Sequence, residues 1–133
     1  MSDYTNSLPA GKQPQIRVLA MPADTNSAGD IFGGWLMSQV DIAGSTLAHR
    51  EADGRTVTVA VDNFIFLKPV YVGDLLSFYA TVLSIGNTSL KIEVEGYAER
   101  KRRVDECQKV VTAQLTYVAI DHYRKPRPVK IQV

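Results

Sequence analysis

The segment DTNSAGDIFGGWLMSQVDIAG, residues Asp24 to Gly44, decides how this chain is read. It holds four of the chain's nine glycines, three aspartates and an asparagine, and it runs straight into an apolar helical pattern. Phe32, Leu36, Val40, Ala43 and Leu47 fall at i, i+4, i+8, i+11 and i+15, which is one face at helical spacing. The spacing predicts a helix from Gly33 to Glu51, with Gly54 as its stop signal. A helix made only for packing has no use for a Gly33-Gly34 start or for Asp41 two turns in.

Outward from that helix the pattern changes. Upstream, Ile16 to Met21 alternates as a short strand that Pro22 ends, and a turn-rich loop leads to Gly33. Downstream, four segments read as strands: RTVTVAVDNFIFL, LLSFYATVLSIG, TSLKIEVEGYAERK and CQKVVTAQLTYVAID. Val57, Val59 and Val61 share one side of the first, and Leu90, Ile92 and Val94 one side of the third. Gly86-Asn87 is a hairpin signal, and the residues around Arg102 to Glu106 make a charged turn. The order β–loop–α–β–β–β–β, with connections too short for crossover helices, predicts an α+β fold. One long helix is wrapped by an antiparallel sheet built from a run of hairpins. Residues 1–14 read as a flexible tail, 15–121 as a single domain, and 122–133 as a C-terminal tail that leaves the fold.

Bulk composition narrows the function classes. The chain has 133 residues, 45% hydrophobic and 22% charged, with formal net charge +1. That supports one packed domain and gives no reason to expect nucleic acid or an anionic membrane as partner. Cys107 is the single cysteine, so neither an internal disulfide nor a cysteine metal cluster is expected. A polar N-terminus and the lack of any run near the ~18 apolar residues of a membrane span point to a cytoplasmic protein.

The glycine junction has a chemical reading. The start of a helix exposes unpaired N–H groups and a partial positive charge, which suits a developing oxyanion. Gly33 or Gly34 can hold a carbonyl oxygen there, unless both serve only a tight turn. Asp41 lies off the core face among Gly34, Gly44, Ser45 and Ala48, small residues that let another backbone approach. Eight residues at ~1.5 Å rise separate it from Gly33 by about 12 Å, beyond the reach of a general base. The two groups meet only if Asp41 faces the helix start of a second copy, which a two-fold dimer provides. A lone helical aspartate is usually just a solvated charge, a reading of Asp41 that its small neighbours weaken. Asn26 has the plain alternative of an ordinary turn asparagine rather than a group that positions water or binds a carbonyl.

The stretch MPADTNSAGDIFGGWLMSQVDIAG, with TVTVAVDNFIFLKPVYVGD and TSLKIEVE, closely resembles the small bacterial acyl-CoA thioesterases of the hotdog superfamily, YciA-type branch. The resemblance spans roughly Ile16 to Ile120. It implies a hotdog fold, dimers assembled as a hexamer, and hydrolysis of acyl-CoA to a free acid and CoA without a cofactor. It places the catalytic carboxylate at Asp41, the positioning asparagine at Asn26 and the oxyanion donor at Gly33, with Asp and Asn from opposite subunits. Two departures stand out. VESMNFIKP of the family is here VDNFIFLKP, which moves the polar residue to Asn63, and the turn Gly-Arg-Ser-Ser is GNTS, without its arginine.

Gly34, Thr58, Asn63, Thr88 and Ser89 join the candidates for substrate and CoA contact. The basic run Glu99 to Arg103, above all Arg103, and also Lys68 and Lys91, are candidates for the CoA phosphates, each equally a solvated charge. Trp35, Phe64 and Phe66 are candidates for an acyl pocket or for plain packing. His49 and His122 lie apart, and no metal is expected. A hydratase with a His–acid pair, an acyl-CoA binding module without turnover and a purely structural oligomer are the competing readings.

Overall fold

The computed structural model describes residues 6–129. The chain runs β1 (Ile16–Leu19), α1 (Gly33–Ala52), β2 (Thr56–Phe66), β3 (Leu75–Ile85), β4 (Ser89–Glu99) and β5 (Cys107–Ala119). The strands form one five-stranded sheet in the order β1-β3-β4-β5-β2, with every pairing antiparallel. This is the α+β arrangement expected.

Strand alternation builds the core. Leu90, Ile92 and Val94 of β4 are all 0% exposed. Across the ladder Leu90 faces Tyr117, Ile92 faces Leu115 and Val94 faces Ala113, so one side of β4 and β5 is apolar throughout. Leu36, Val40 and Ala43 of α1 close over it with Gly44, Ala48 and Ala52. The buried stripe is turned from the expected one, because Leu47 is only half-buried and Phe32 is 51% exposed. The small residues are the reason: they let the helix lie low on its own sheet. Gly44 and Ala48 thus serve packing within the chain, whereas Gly34 of the same expected stripe is exposed with no atom within 4 Å of where a Cβ would stand.

The connection after β2 departs from a run of hairpins. β2 pairs with β5 rather than β3, so residues 67–74 carry the chain from one edge of the sheet to the far side. Lys68 and Pro69 break the alternating pattern, and the segment passes over the start of α1, where Phe66 to Val70 share a hollow with Gly33. β2 is left as an edge strand. Val59, Val61, Ile65 and Phe66 are exposed along it. A register shift between Thr58 and Ala60 breaks the expected one-sided run of valines: Val57 lies opposite Val118, on the side away from the helix, whereas Val61 lies opposite Leu115 and lines a hollow on the helix side.

Neither end behaves as a loose tail within the described residues. Residues 1–5 and 130–133 lie outside them. Asn6 bridges to Cys107, and its side-chain oxygen accepts the Lys109 N–H at 2.8 Å. At the other end Asp121 turns the chain by accepting the N–H groups of Tyr123 and Lys125. Arg127 then donates to the Ala52 carbonyl at 2.9 Å, satisfying an acceptor that the helix end leaves free. Val129 is buried and donates to the Asn87 carbonyl. The C-terminal segment is thus held on the fold as far as Val129.

Candidate active site

Asp41 sits at the margin of α1, half-buried against β2 and β5. Its Oδ1 accepts two hydroxyl bonds, from Thr58 at 2.7 Å and from Tyr117 at 3.0 Å. Its other oxygen has no donor among the described residues. A hollow of about 250 Å³ opens here, lined by Met37, Ser38, Asp41, Thr58, Val61, Phe64 and Leu115. Apolar walls around one carboxylate suit an acyl group beside a base or nucleophile.

Gly33 belongs to a different hollow, of about 240 Å³, lined by Ile31, Phe32, Gly33, Leu36 and the Phe66 to Val70 segment. No side chain caps the helix here. The Gly33 and Gly34 amides have no acceptor among the described residues, so they stand ready for an incoming oxygen. The Phe66 ring lies so close that a Cβ on Gly33 would come within 3.1 Å of it. Close approach, rather than an unusual backbone angle, is what glycine permits at this point.

Asn26 lies in the loop leading to this end. Its Oδ1 accepts the N–H groups of Ala28 at 2.9 Å and Asp30 at 3.1 Å, and its own N–H donates to the Asp30 carbonyl. The oxygen therefore shapes the turn. The amide NH2 is left as a donor, without a partner among the described residues.

The other candidates do not gather in one place. Lys68 lines the Gly33 hollow, while Thr58 bonds Asp41. Asn63 occupies an irregularity in β2 with φ of 52°, where asparagine tolerates the left-handed region. Thr88 and Ser89 lie at the β3–β4 turn, beside a hollow of about 980 Å³ bordered by Arg55, Asn87, His122 and Arg127. Lys91 alternates with buried Leu90 and Ile92, so it faces away from the helix. Arg103 lies past the opposite end of β4, beyond Glu99, which is ten residues from Ser89 and so about 33 Å away. It pairs with Asp105 and with Glu106. One phosphate group cannot use both ends of the same hairpin.

The basic run also hides a structural group. Arg100 pairs with buried Asp74, donates to the Pro69 carbonyl and Gln108 Oε1, and stacks 4.7 Å over the Tyr71 ring. It staples the crossing segment that walls the Gly33 hollow. Burial pushes the Asp74 carboxyl above its usual value, against the pull of the Tyr71 N–H and of Arg100. Glu99, also buried, pairs with Arg17 at 2.9 Å. These two members of the run are thus committed to the fold.

Tyr117 is the residue that sequence reading passed over. A signal existed: alternation puts it on the buried side of β5 with Leu115 and Ala119, and a buried tyrosine needs a partner for its hydroxyl. Among the described residues, no three His, Cys, Asp or Glu side chains gather where a metal ion could be held.

Comparison with known proteins fits this geometry. Residues 28–104 match the profile of the thioesterase superfamily. The chain is 45% identical to the acyl-CoA thioester hydrolase YciA of Escherichia coli over 130 residues, covering 96% of this chain and 98% of that one. A hexameric thioesterase of Yersinia pestis superposes with a TM-score of 0.85 at 47% identity, covering 94% of this chain and 100% of that one. An acyl-CoA hydrolase of Staphylococcus aureus, solved with butyryl-CoA and CoA, superposes at 0.79 and 30% identity, covering 85% and 68%. That protein has also been solved with one aspartate, and separately one asparagine, changed to alanine.

Proposed function

This chain belongs to the thioesterase superfamily, and we propose that it hydrolyses acyl-CoA thioesters at sites that two of its copies complete together. One observation carries the reading. The carboxylate of Asp41 and the free amides at Gly33 open into separate hollows of the same chain. About 12 Å of helix lies between them, too far for one substrate carbonyl to use both.

Each copy offers both halves, so a two-fold dimer makes two complete sites. The thioester carbonyl oxygen lies at the Gly33 amide, with Gly34 allowing close approach, and the helix end stabilises the charge that develops. Asp41 of the other copy either takes a proton from water as it attacks or attacks the carbonyl itself. Asn26 donates from its amide NH2 to orient that water. Collapse of the tetrahedral adduct breaks the C–S bond, and the CoA thiolate leaves and takes up a proton. Where Asp41 is the attacking group, water then hydrolyses the acyl–Asp41 anhydride to the free acid and restores the carboxylate. Asp41 and the helix amides supply the chemistry, so the proposal includes no metal and no cofactor beyond the CoA of the substrate.

The exposed apolar residues of β2 support an obligatory dimer, since an edge strand of this kind is otherwise a liability. Assembly of dimers into a hexamer is part of the proposal, following the hexameric relatives. Phe64 at the Asp41 hollow and Phe66 at the Gly33 hollow, with ring centroids 5.0 Å apart, are proposed to flank the acyl chain beside Trp35. Lys68, Thr58 and the Thr88-Ser89 turn, with Lys91 and Asn63, are proposed CoA contacts, shared among copies as the half-sites are. Arg103 is not carried forward, because carboxylates already face it. No helix among the described residues is long and apolar enough to cross a membrane. A cytoplasmic setting completes the proposal and suits a single buried cysteine.

The test is release of free thiol from a panel of acyl-CoA esters. The wild-type protein releases CoA, and Asp41→Asn lowers kcat by roughly 100- to 10,000-fold with the assembly intact. Binding without thiol release would establish the binding module instead.

A further inference from the structure

Tyr117 does more than fill the core. Its side chain is 0% exposed, yet its hydroxyl reaches the helix, 3.0 Å from Asp41 Oδ1 and 3.1 Å from the Asp41 carbonyl oxygen. A phenol has one proton to give, and the charged carboxylate is the stronger acceptor. Thr58 donates to that same Oδ1. Hydroxyls from β2 and β5 therefore grip one oxygen of the carboxylate and leave the other without a donor among the described residues, on a side chain that lines the hollow.

The helix is cut away to allow this. Gly44 lies one turn past Asp41, and a Cβ there would sit 2.3 Å from the Tyr117 hydroxyl oxygen. Glycine is a poor choice in mid-helix, and its place here is explained by the room the hydroxyl needs. Burial, and next the charge of Asp41, push the Tyr117 phenol well above its ordinary value, so it stays a donor wherever the enzyme works.

We propose that Tyr117 is a positioning residue, which with Thr58 holds Asp41 by Oδ1 so that Oδ2 is the oxygen presented to the substrate carbonyl or its water. The inference rests on the role proposed for Asp41. A carboxylate pinned at one oxygen loses the freedom to rotate away from the reacting atom, and that is where the rate benefit arises.

A hydroxyl that were merely satisfied in the core would affect stability alone, so the decisive readout is kcat set against KM. Tyr117→Phe keeps the ring and deletes the oxygen. In the full assembly it lowers kcat by roughly 10- to 100-fold while KM stays within about twofold. Gly44→Ala, which pushes the hydroxyl off Asp41, gives a similar loss. Added to Tyr117→Phe it costs less than about twofold more, because the hydroxyl it displaces is gone and only ring carbons, 3.0 and 3.2 Å from that Cβ, must give slightly. A wild-type kcat in Tyr117→Phe, or fully additive losses in the double variant, overturns the inference. Should Tyr117→Phe not assemble, Gly44→Ala carries the test alone, and a wild-type kcat in it overturns the inference. Asp41→Asn run alongside separates the two failures. Activity in that variant removes the site itself, whereas an inactive Asp41→Asn beside a fully active Tyr117→Phe removes only the role of Tyr117.

Discussion

Two inactive variants should restore each other if the site is divided between copies. Asp41→Asn removes the carboxylate half, and Asn26→Ala removes the amide donor in the loop at the helix-start half. Suppose the two proteins are unfolded together and reassembled in equal amounts. With random pairing about half of the dimers hold one copy of each. In such a dimer one site receives both defects. The other receives the intact Asp41 of one copy and the intact Asn26 of its partner. One site in two is live in half the dimers, so about a quarter of the wild-type activity returns. Thiol release is measured before and after mixing, with the recovered assembly checked by sedimentation. The number follows from the structure because Asp41 and Gly33 open into separate hollows. A site contained within one chain predicts no gain over the mean of the two parents. That result would refute the divided site even if each variant were inactive alone.

Other consequences are direct. Arg100→Met leaves Asp74, 2% exposed, without its cation. Thermal or urea unfolding at fixed protein concentration should show a loss of about 3–5 kcal/mol, much of it recovered in Arg100→Met/Asp74→Asn. Equal losses in the single and double variants would remove the pair from the account. Gly33→Ala places a methyl 3.1 Å from the tip of the Phe66 ring, which has to give by only a few tenths of an ångström. The melting temperature should hold while kcat/KM falls at least about tenfold, and an unchanged kcat/KM would take the helix start out of the reaction. Alkaline stability reports on Tyr97, whose phenol burial, and next the charge of Glu95, push up to about 12. With the folded value raised above about 10, its stabilisation is complete below pH 10 and fades as pH climbs toward 12, by up to about 1.4 kcal/mol per pH unit. Tyr97→Phe should flatten that slope in urea titrations, and an identical slope would show that Tyr97 does not set it.

Local pattern located the elements well. The helix was expected from Gly33 to Glu51 and runs Gly33–Ala52, because its apolar spacing and its glycine and aspartate ends are written within a few residues. Strand partnership is another matter. β2 joins β5, which follows it by two further strands, and no short-range rule states that choice. The tail after Asp121 looked loose because its anchors are remote: Arg127 binds a carbonyl at Ala52, 75 residues earlier.

The site shows the same division between near and far. Asp41 and Gly33 were legible because each is an oddity in its own helix: a charge among small residues, and a glycine pair where a cap should be. Their surroundings were not, since the partners of Asp41 lie 17 and 76 residues away. The valines of β2 carry the most instructive error. Alternation put Val57, Val59 and Val61 on one side, but the register shift between Thr58 and Ala60 divides them, so that Val57 lies opposite Val118 and Val61 joins Leu115 at the Asp41 hollow. In one chain Val59 and Val61 meet solvent, at 55% and 43% exposure. Apolar residues left bare along an edge strand are what a single chain shows when its core is finished by another copy. The site proposed from Asp41 and Gly33 calls for that copy because of the distance between them, and the bare edge calls for it for solvation. Two arguments with no shared premise therefore lead to one dimer.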